Sequence, residues 1–443
     1  MHAADLHLDS PFGGLAEAAP PNVAAAVQRA TLDAWGRIVA LAISEHVDFV
    51  LIAGDIFDSE ERTIRGQLAF VDGLRSLAAA HIPSFVVTGN HDPLVGWEPS
   101  IAIPGSAYRF GAEQVEARPV LRDGVEIARV YGISYLVRDV RDNLALRFRK
   151  EPGSPFAIGL LHANVGGQPG HANYAPCSVG DLAASGIDYW ALGHVHRPQV
   201  LRDHAPAVVY AGNPQGRDVG EAEPRGAMLV SVDRAGRARV ELRELDQIRW
   251  VVRGIDIAGL PNLDALLARL EQELARARSA AGRAVIARLE LTGFGSLHEE
   301  LQRPDTIRDL RERLVERFAT QDPFVWVADL RDATRPEQAR AIERAGDFLG
   351  ELEAVASLAL ARAERGEDGA GNPGGEDEAP VDPVRVADEL LASPQFRPAL
   401  RSAAAANPLA GRLEQLRHLD HPAAVDLLRR AHQRIVDELA GRE

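Results

Sequence analysis

The chain has 443 residues, 46% of them hydrophobic, enough for about three domains of ordinary size and a substantial core. Lys+Arg 49 against Asp+Glu 64 gives a formal charge of −15, which excludes a protein that coats nucleic acid or membrane by charge alone but leaves room for a local basic groove. One cysteine, Cys177, excludes an internal disulfide framework and a multi-cysteine metal site, and no run reaches the roughly 18 apolar residues of a membrane span. A soluble, cytoplasmic protein with a buried, inert thiol is expected. Lys150 is the only lysine, so arginine, the better grip on phosphate, carries almost all the positive charge.

In chain order, short apolar runs at 48–53 (DFVLIA), 84–88 (SFVVT), 128–133, 157–161 (AIGLL) and 187–192 (IDYWAL) read as buried strands. Helical patterns lie between the first of them, over 23–44 and 63–80. Strands alternating with helices predict an α/β sandwich around a largely parallel sheet.

Five strands run into residues of the types that bind metals. The first short strand meets Asp5 and His7, the second Gly54, Asp55 and Asp58, the third Gly89, Asn90, His91 and Asp92. Later strands deliver His162, and then Gly193, His194 and His196. The carboxyl edge of an open α/β sheet is where ligands sit. An i, i+2 spacing puts Asp5 with His7, and His194 with His196, on one face of an extended strand. Glycines before three of the sets, Gly54, Gly89 and Gly193, let the backbone turn. Carboxylate, amide and imidazole together suit first-row divalent ions, and two such ions about 3.5–4 Å apart are the usual phosphoester-cleaving arrangement. Taken singly, each motif also reads as a turn or a surface accident; jointly and in this order they read as a metal site.

The rim offers weaker candidates. His171 lies in the Gly/Pro-rich stretch 166–176 and is either substrate-facing or simply solvated. Arg217 follows a strand and reaches either a substrate phosphate or a surface ion pair with Glu221 or Glu223. Residues 101–150 hold nine bases against six acids, so Arg138, Arg141, Arg147 and Arg149 form either a phosphate track or a solvated face.

Beyond Asp246 a β-α-β-α-β string is expected: strands 249–257, 284–291 and 324–329, helices 263–277 and 304–318. A long helical pattern over 333–365 follows. The stretch 366–383 (GEDGAGNPGGEDEAPVDP) reads as a disordered acidic Gly/Pro linker, and 384–443 returns to helical patterns.

The ordered set D-x-H, GDxxD, GNHD, a lone His and GHxH resembles the calcineurin-like metallophosphoesterases. The strings HAADLHLDSPF, GDIFD, GNHDP, YAPCS, DYWALGHVH and YAGNPQGR resemble the SbcD-like DNA-repair exonuclease branch, and within it the bacterial YhaO group, as far as about Arg225. The resemblance implies a metallophosphoesterase β-sandwich flanked by helices, with a small α+β capping-like module and C-terminal helices. The expected divisions are a catalytic domain over 1–247, the module over 248–332, the long helix 333–365, the linker 366–383 and the helical segment 384–443. Members usually carry several apolar residues before the HAADLH string, so either the start is assigned late or the first strand is short.

The resemblance also implies roles. Asp5, His7, Asp55 and His196 would hold one ion, and Asp55, Asn90, His162 and His194 the other. Manganese is the implied ion, with iron, zinc and magnesium open. His91 would face the scissile phosphate as general acid or transition-state stabiliser. Asp58 either hydrogen-bonds that histidine or caps the following helix, and Asp92 is structural. The implied activity is a metal-dependent DNA exonuclease, with DNA, a coiled-coil SMC-like ATPase and a second copy of the chain as partners. A phosphatase or small-nucleotide phosphodiesterase, or a scaffold subunit of the ATPase complex, is the alternative.

Overall fold

The computed structural model describes residues 1–337 except 11, 13, 14, 16–18, 59–62, 96–101 and 169–171. The terminal helices and linker expected beyond 337, and His171, lie outside the described residues.

Pro20 and Pro21 start helix α1 (Pro21–Ser44), where a missing backbone N–H costs nothing. Its buried positions Val23, Val27, Ala30, Ala34 and Ile38 recur every three to four residues, giving one apolar face. Helix α2 (Ile64–Ala79) is capped by Thr63, whose hydroxyl accepts from Gly66 N at 3.0 Å.

A first group of strands is β1 (His2–Ala3), β2 (Val50–Ala53), β3 (Ser84–Val87) and β4 (Ala107–Arg109). A second is β5 (Glu116–Arg122), β6 (Val125–Gly132), β7 (Ala157–His162), β8 (Tyr189–Gly193), β9 (Gln199–Arg202) and β10 (Ala207–Tyr210), with helix α3 (Val179–Ala183) between β7 and β8. Strands β11 (Gly226–Val232) and β12 (Ala238–Glu244) then return to the first group.

These make two six-stranded mixed sheets, ordered β12-β11-β1-β2-β3-β4 and β5-β6-β7-β8-β10-β9. In the first, β1 to β4 run parallel, β11 pairs antiparallel with β1, and β12 antiparallel with β11. In the second, β6, β7, β8 and β10 are parallel, with β5 and β9 antiparallel at the edges. The expected β-sandwich flanked by helices is present, with its parallel strands shared between two mixed sheets.

The sheets face each other over a core that includes Leu51, Val87, Val130, Leu160 and Ala191. The outer face of the first sheet packs Ile52 against Ile38 of α1 and Leu74 and Leu77 of α2. The outer face of the second buries Leu161, Trp190 and Val208 with Leu182 of α3. Strand β7 sends Ile158 and Leu160 to the inner core and Ala157 and Leu161 to the outer one. Burial on both faces is why it reads as an unbroken apolar run.

Strands β13 (Ile248–Asp256), β14 (Ala284–Thr292) and β15 (Val325–Asp332) form a third sheet, in that order. Helices α4 (Leu263–Ala281), α5 (Leu297–Leu301) and α6 (Thr306–Phe318) connect them. The chain divides into two compact units. The first takes in Met1–Gly254, Leu267–Glu290 and Ile307–Arg331; in it Trp250, Ile286 and Trp326 pack on Val23 and Val27 of α1. The second comprises, among the described residues, Ile255–Leu266, Leu291–Thr306 and 332–337; in it His298 Nδ1 meets Thr334 Oγ1 at 3.0 Å.

Candidate metal centre

All five segments with candidate ligands lie at the carboxyl ends of strands, three from the first sheet and two from the second. The extended-strand reason for the DxH and HxH pairs does not hold. Strand β1 ends at Ala3 and β8 at Gly193, so the pairs lie in the loops beyond. Asp5, His7, Asp55 and His194 adopt left-handed φ of 50°, 42°, 50° and 100°. Such backbone costs on the order of 1–3 kcal/mol per residue and persists only where its surroundings fix it. Here Asp5 N donates to Gly54 O at 3.0 Å, His7 N to Asp55 O at 3.1 Å and His194 N to Asp5 Oδ1 at 2.9 Å.

Of the three preceding glycines only Gly54 needs its conformational freedom, at φ +88°. Gly193 is required by space, because a Cβ there would lie 1.9 Å from Ala53 O.

The far nitrogen of each candidate ligand histidine is tied to an acceptor. His162 Nδ1 meets Ala53 O at 2.9 Å and His194 Nε2 meets Ala172 O at 2.7 Å. His7 Nδ1 meets Asp58 Oδ1 at 2.8 Å and His196 Nδ1 meets Glu221 Oε1 at 2.5 Å. Each of these nitrogens carries a hydrogen, so the near nitrogens present lone pairs inward. What they face is more lone pairs. His7 Nε2 and His196 Nε2 are 3.2 Å apart. His162 Nε2 is 3.0 Å from Asn90 Oδ1 and 3.3 Å from Asp55 Oδ2, and His194 Nδ1 is 3.2 Å from the same Asn90 oxygen. Only positive charge satisfies such a cluster. The tautomers, set by outer carboxylates and carbonyls, are those of metal-ligating histidines.

The electrostatics agree. Burial pushes the Asp5 carboxyl up, against the pull of His162 and His196. Burial also opposes ionisation of Asp55, but His162 beside it, with His7 and His91, holds it well below the usual carboxylate range. Burial alone would lower His162; Asp55 and Asp5 override it and push the imidazole up to about 9, the same pull for positive charge that a metal ion beside these carboxylates would answer. His7 is held down to about 4, first by burial and then by Arg217. Asp5, His7 and His196, and likewise Asp5, Asp55 and His162, bring ligand atoms within 4.8 Å of one another. With Asn90 and His194 touching the second group, these oxygen and nitrogen donors fit divalent first-row ions.

Asp58 does not cap the next helix; Thr63 does. Its Oδ1 meets His91 Nδ1 at 3.0 Å as well as His7, and its Oδ2 accepts from Arg217 Nη1 at 3.0 Å and from Ser10. Burial opposes ionisation of Asp58, yet His7, His91 and Arg217 hold it well below the usual range. The guanidinium of Arg217 thus pairs with Asp58 rather than with Glu221 or Glu223, and only its backbone N–H reaches Glu221, at 2.7 Å. Asp92 is wholly buried and accepts from Gly89 N and Ile56 N, each at 2.7 Å, tying two ligand loops together.

Arg141 pairs with Asp139 and Arg147 with Asp142, while Arg149 bonds backbone carbonyls of Leu146 and Phe148. Arg138 is exposed. Sequence reasoning missed Glu221 as the partner of His196, and the Ala53 and Ala172 carbonyls. No residue type signals a carbonyl, and the DVGEAE context of Glu221 carries no motif.

Residues 1–198 match the model of the calcineurin-like phosphoesterases, and residues 250–335 match the middle domain of metallophosphoesterase YhaO. A Bacillus subtilis protein described as an uncharacterized metallophosphoesterase YhaO is 37% identical over 339 residues, 76% of this chain and 82% of that protein. The chain belongs to the calcineurin-like metallophosphoesterases. DNA double-strand break repair proteins Mre11 are more distant relatives. That of Haloferax volcanii is 28% identical over 54% of this chain and 53% of its own length, and that of Sulfurisphaera tokodaii 26% over 45% and 52%. The chain thus spans about half the length of these Mre11 relatives. The calcineurin-like metallophosphoesterases are hydrolases dependent on two divalent metal ions, in keeping with the converging lone pairs described above. No helix among the described residues is long and apolar enough to cross a membrane.

Proposed function

We propose that this metallophosphoesterase is a DNA phosphodiesterase, an exonuclease subunit acting in DNA repair in the cytoplasm. Residues 1–247 are its catalytic part, and the module over 248–332 shapes the access of DNA. Asp5, His7, Asp55 and His196 would hold one ion and Asp55, Asn90, His162 and His194 the other, manganese being the expected metal. Two ions there would supply charge against the phosphate oxygens and acidify a water for attack.

The observation that carries the reading is His91. Its side chain is 33% exposed, while those of His7 and His162 are 1% and 0% exposed. Asp58 holds Nδ1, which leaves Nε2 free to meet a leaving 3′-oxygen. The backbone N–H of His91 donates to Asp55 Oδ1 at 2.9 Å, fixing the loop against the ligand set. Burial lowers the affinity of His91 for a proton, but Asp58 and Asp55 raise it further, and the net upward shift favours the protonated ring that such a delivery needs. DNA as the substrate is supported by the relatives named for double-strand break repair.

Purified protein with manganese should degrade labelled single- or double-stranded DNA, and His91→Ala should lower the rate by about 10²–10⁴-fold. Turnover of a phosphomonoester or cyclic nucleotide with DNA left intact would overturn the DNA reading, and full activity of the variant would remove His91 from the chemistry. The partners proposed are a coiled-coil SMC-like ATPase, docked by residues 384–443, and a second copy of this chain. Copurification of an ATPase with the full chain should be lost on deleting 384–443; retention without them would place the docking elsewhere. Sedimentation at equilibrium should give twice the chain mass, and a monomer would exclude the homodimer.

A further inference from the structure

His7 and His196 point their Nε2 atoms at each other, and each is fixed from behind by a carboxylate. Asp58 backs His7 and is part of the sequence motif. Glu221 backs His196 and belongs to no motif. Its Oε1 takes His196 Nδ1, and its Oε2 accepts from Arg217 N and from Asn213 Nδ2, each at 2.7 Å. Both carboxylate oxygens are therefore occupied by donors. Arg217 is bound at both ends: its backbone N–H on Glu221, its guanidinium on Asp58 at 3.0 Å and on Ser10 at 3.3 Å. Arg225 closes the frame, donating from Nε to Glu221 O at 3.1 Å and from Nη1 to the His196 carbonyl and to Asn213 Oδ1.

We propose that Glu221 is a positioning residue for the metal centre, and that Arg217 joins it to Asp58 so that His7 and His196 are set as one pair. This rests on the ligand assignment above but not on DNA as the substrate. The charge of Glu221 is what the geometry needs. An amide at this position could still accept from His196, but its –NH₂ would face two donors, Arg217 N–H and Asn213 –NH₂. The side chain would have to turn, and His196 would lose its fixed tautomer. Because Glu221 touches neither His162 nor His194 nor Asn90 in this network, the effect is confined to one of the two ions.

The test is Glu221→Gln, with Arg217→Met as a second variant that keeps the carboxylate and removes the strap. In metal-free protein with ¹⁵N-labelled histidine, His196 should show the Nδ1–H tautomer, and Glu221→Gln should convert it to a mixture. Manganese titration calorimetry should find two sites in the wild type. One should weaken by about 10–100-fold in Glu221→Gln, and less in Arg217→Met, while the other stays within about twofold. An unchanged tautomer with unchanged affinities would overturn the proposal. So would both sites weakening together with a lowered unfolding midpoint, the mark of a merely structural role. A wild type that binds fewer than two ions would overturn the ligand assignment and this inference with it. A wild type that binds two but leaves DNA intact would overturn only the substrate reading.

Discussion

At the scale of single residues, space and charge set the rules. Gly193 shows the first. Its missing Cβ leaves room for Ala53 O, a backbone atom that cannot swing aside, and for His162 Nδ1, which a Cβ would approach to 2.9 Å. Ala53 O also accepts from His162, so any displacement reaches a ligand. Gly193→Ala should lower stability by about 1–3 kcal/mol, the usual range for forced overpacking, and weaken metal binding with it. Chemical denaturation checks this; an unchanged midpoint would show that the β2 and β8 ends have room to part. Charge sets the second rule. Asp58 and Glu221 each stay ionised against the pull of burial because imidazoles and Arg217 surround them. In the wholly buried Asp92 the balance tips the other way: burial and nearby Asp55 push it up to about 7, against the pull of the Gly89 and Ile56 N–H groups and of His162.

At the scale of elements, the central strands were legible because burial on both faces makes each an unbroken apolar run. The run 157–161 matches β7 to within one residue. The strands β5, β9, β11 and β12 were not, because they pair at or near the sheet edges with one face toward water. Glu116–Arg122 reads EARPVLR, with only Val120 buried, and such alternation is indistinguishable from a polar loop. Lacking them, the pattern could not show that the strands divide into two sheets. The candidate site was legible in a different way. Asp5, Asp55, Asn90, His162, His194 and His196 stood out by type and by position after a strand. Their convergence did not, since left-handed backbone at Asp5, His7 and His194 leaves no mark in composition. Glu221 reaches His196 across 25 residues, and no spacing rule covers that.

At the scale of the whole molecule, the formal −15 no longer weighs against a phosphate-bearing substrate. Residues 351–400 hold eleven acids and four bases, so much of the excess lies outside the catalytic part. Two bound dications would offset four of the negative charges nearer the centre. Because the candidate ligands come from both sheets, metal bound as proposed would be coupled to the fold. An ion that binds only the folded state adds about 2.7 kcal/mol when present at 100 times its Kd. A chelator should therefore lower the melting temperature, and manganese should restore it; a melting curve indifferent to both would show that the sandwich closes without ions.

Asp5 and Asp55 come from one sheet and His162 and His194 from the other, so the centre lies across the seam of the sandwich. A change far along that seam that lets one layer slide by a fraction of an ångström would register first as a lost ion, before any sign of unfolding. Metal content is then a gauge of assembly: counting ions in a preparation reports how many molecules have their two halves in register.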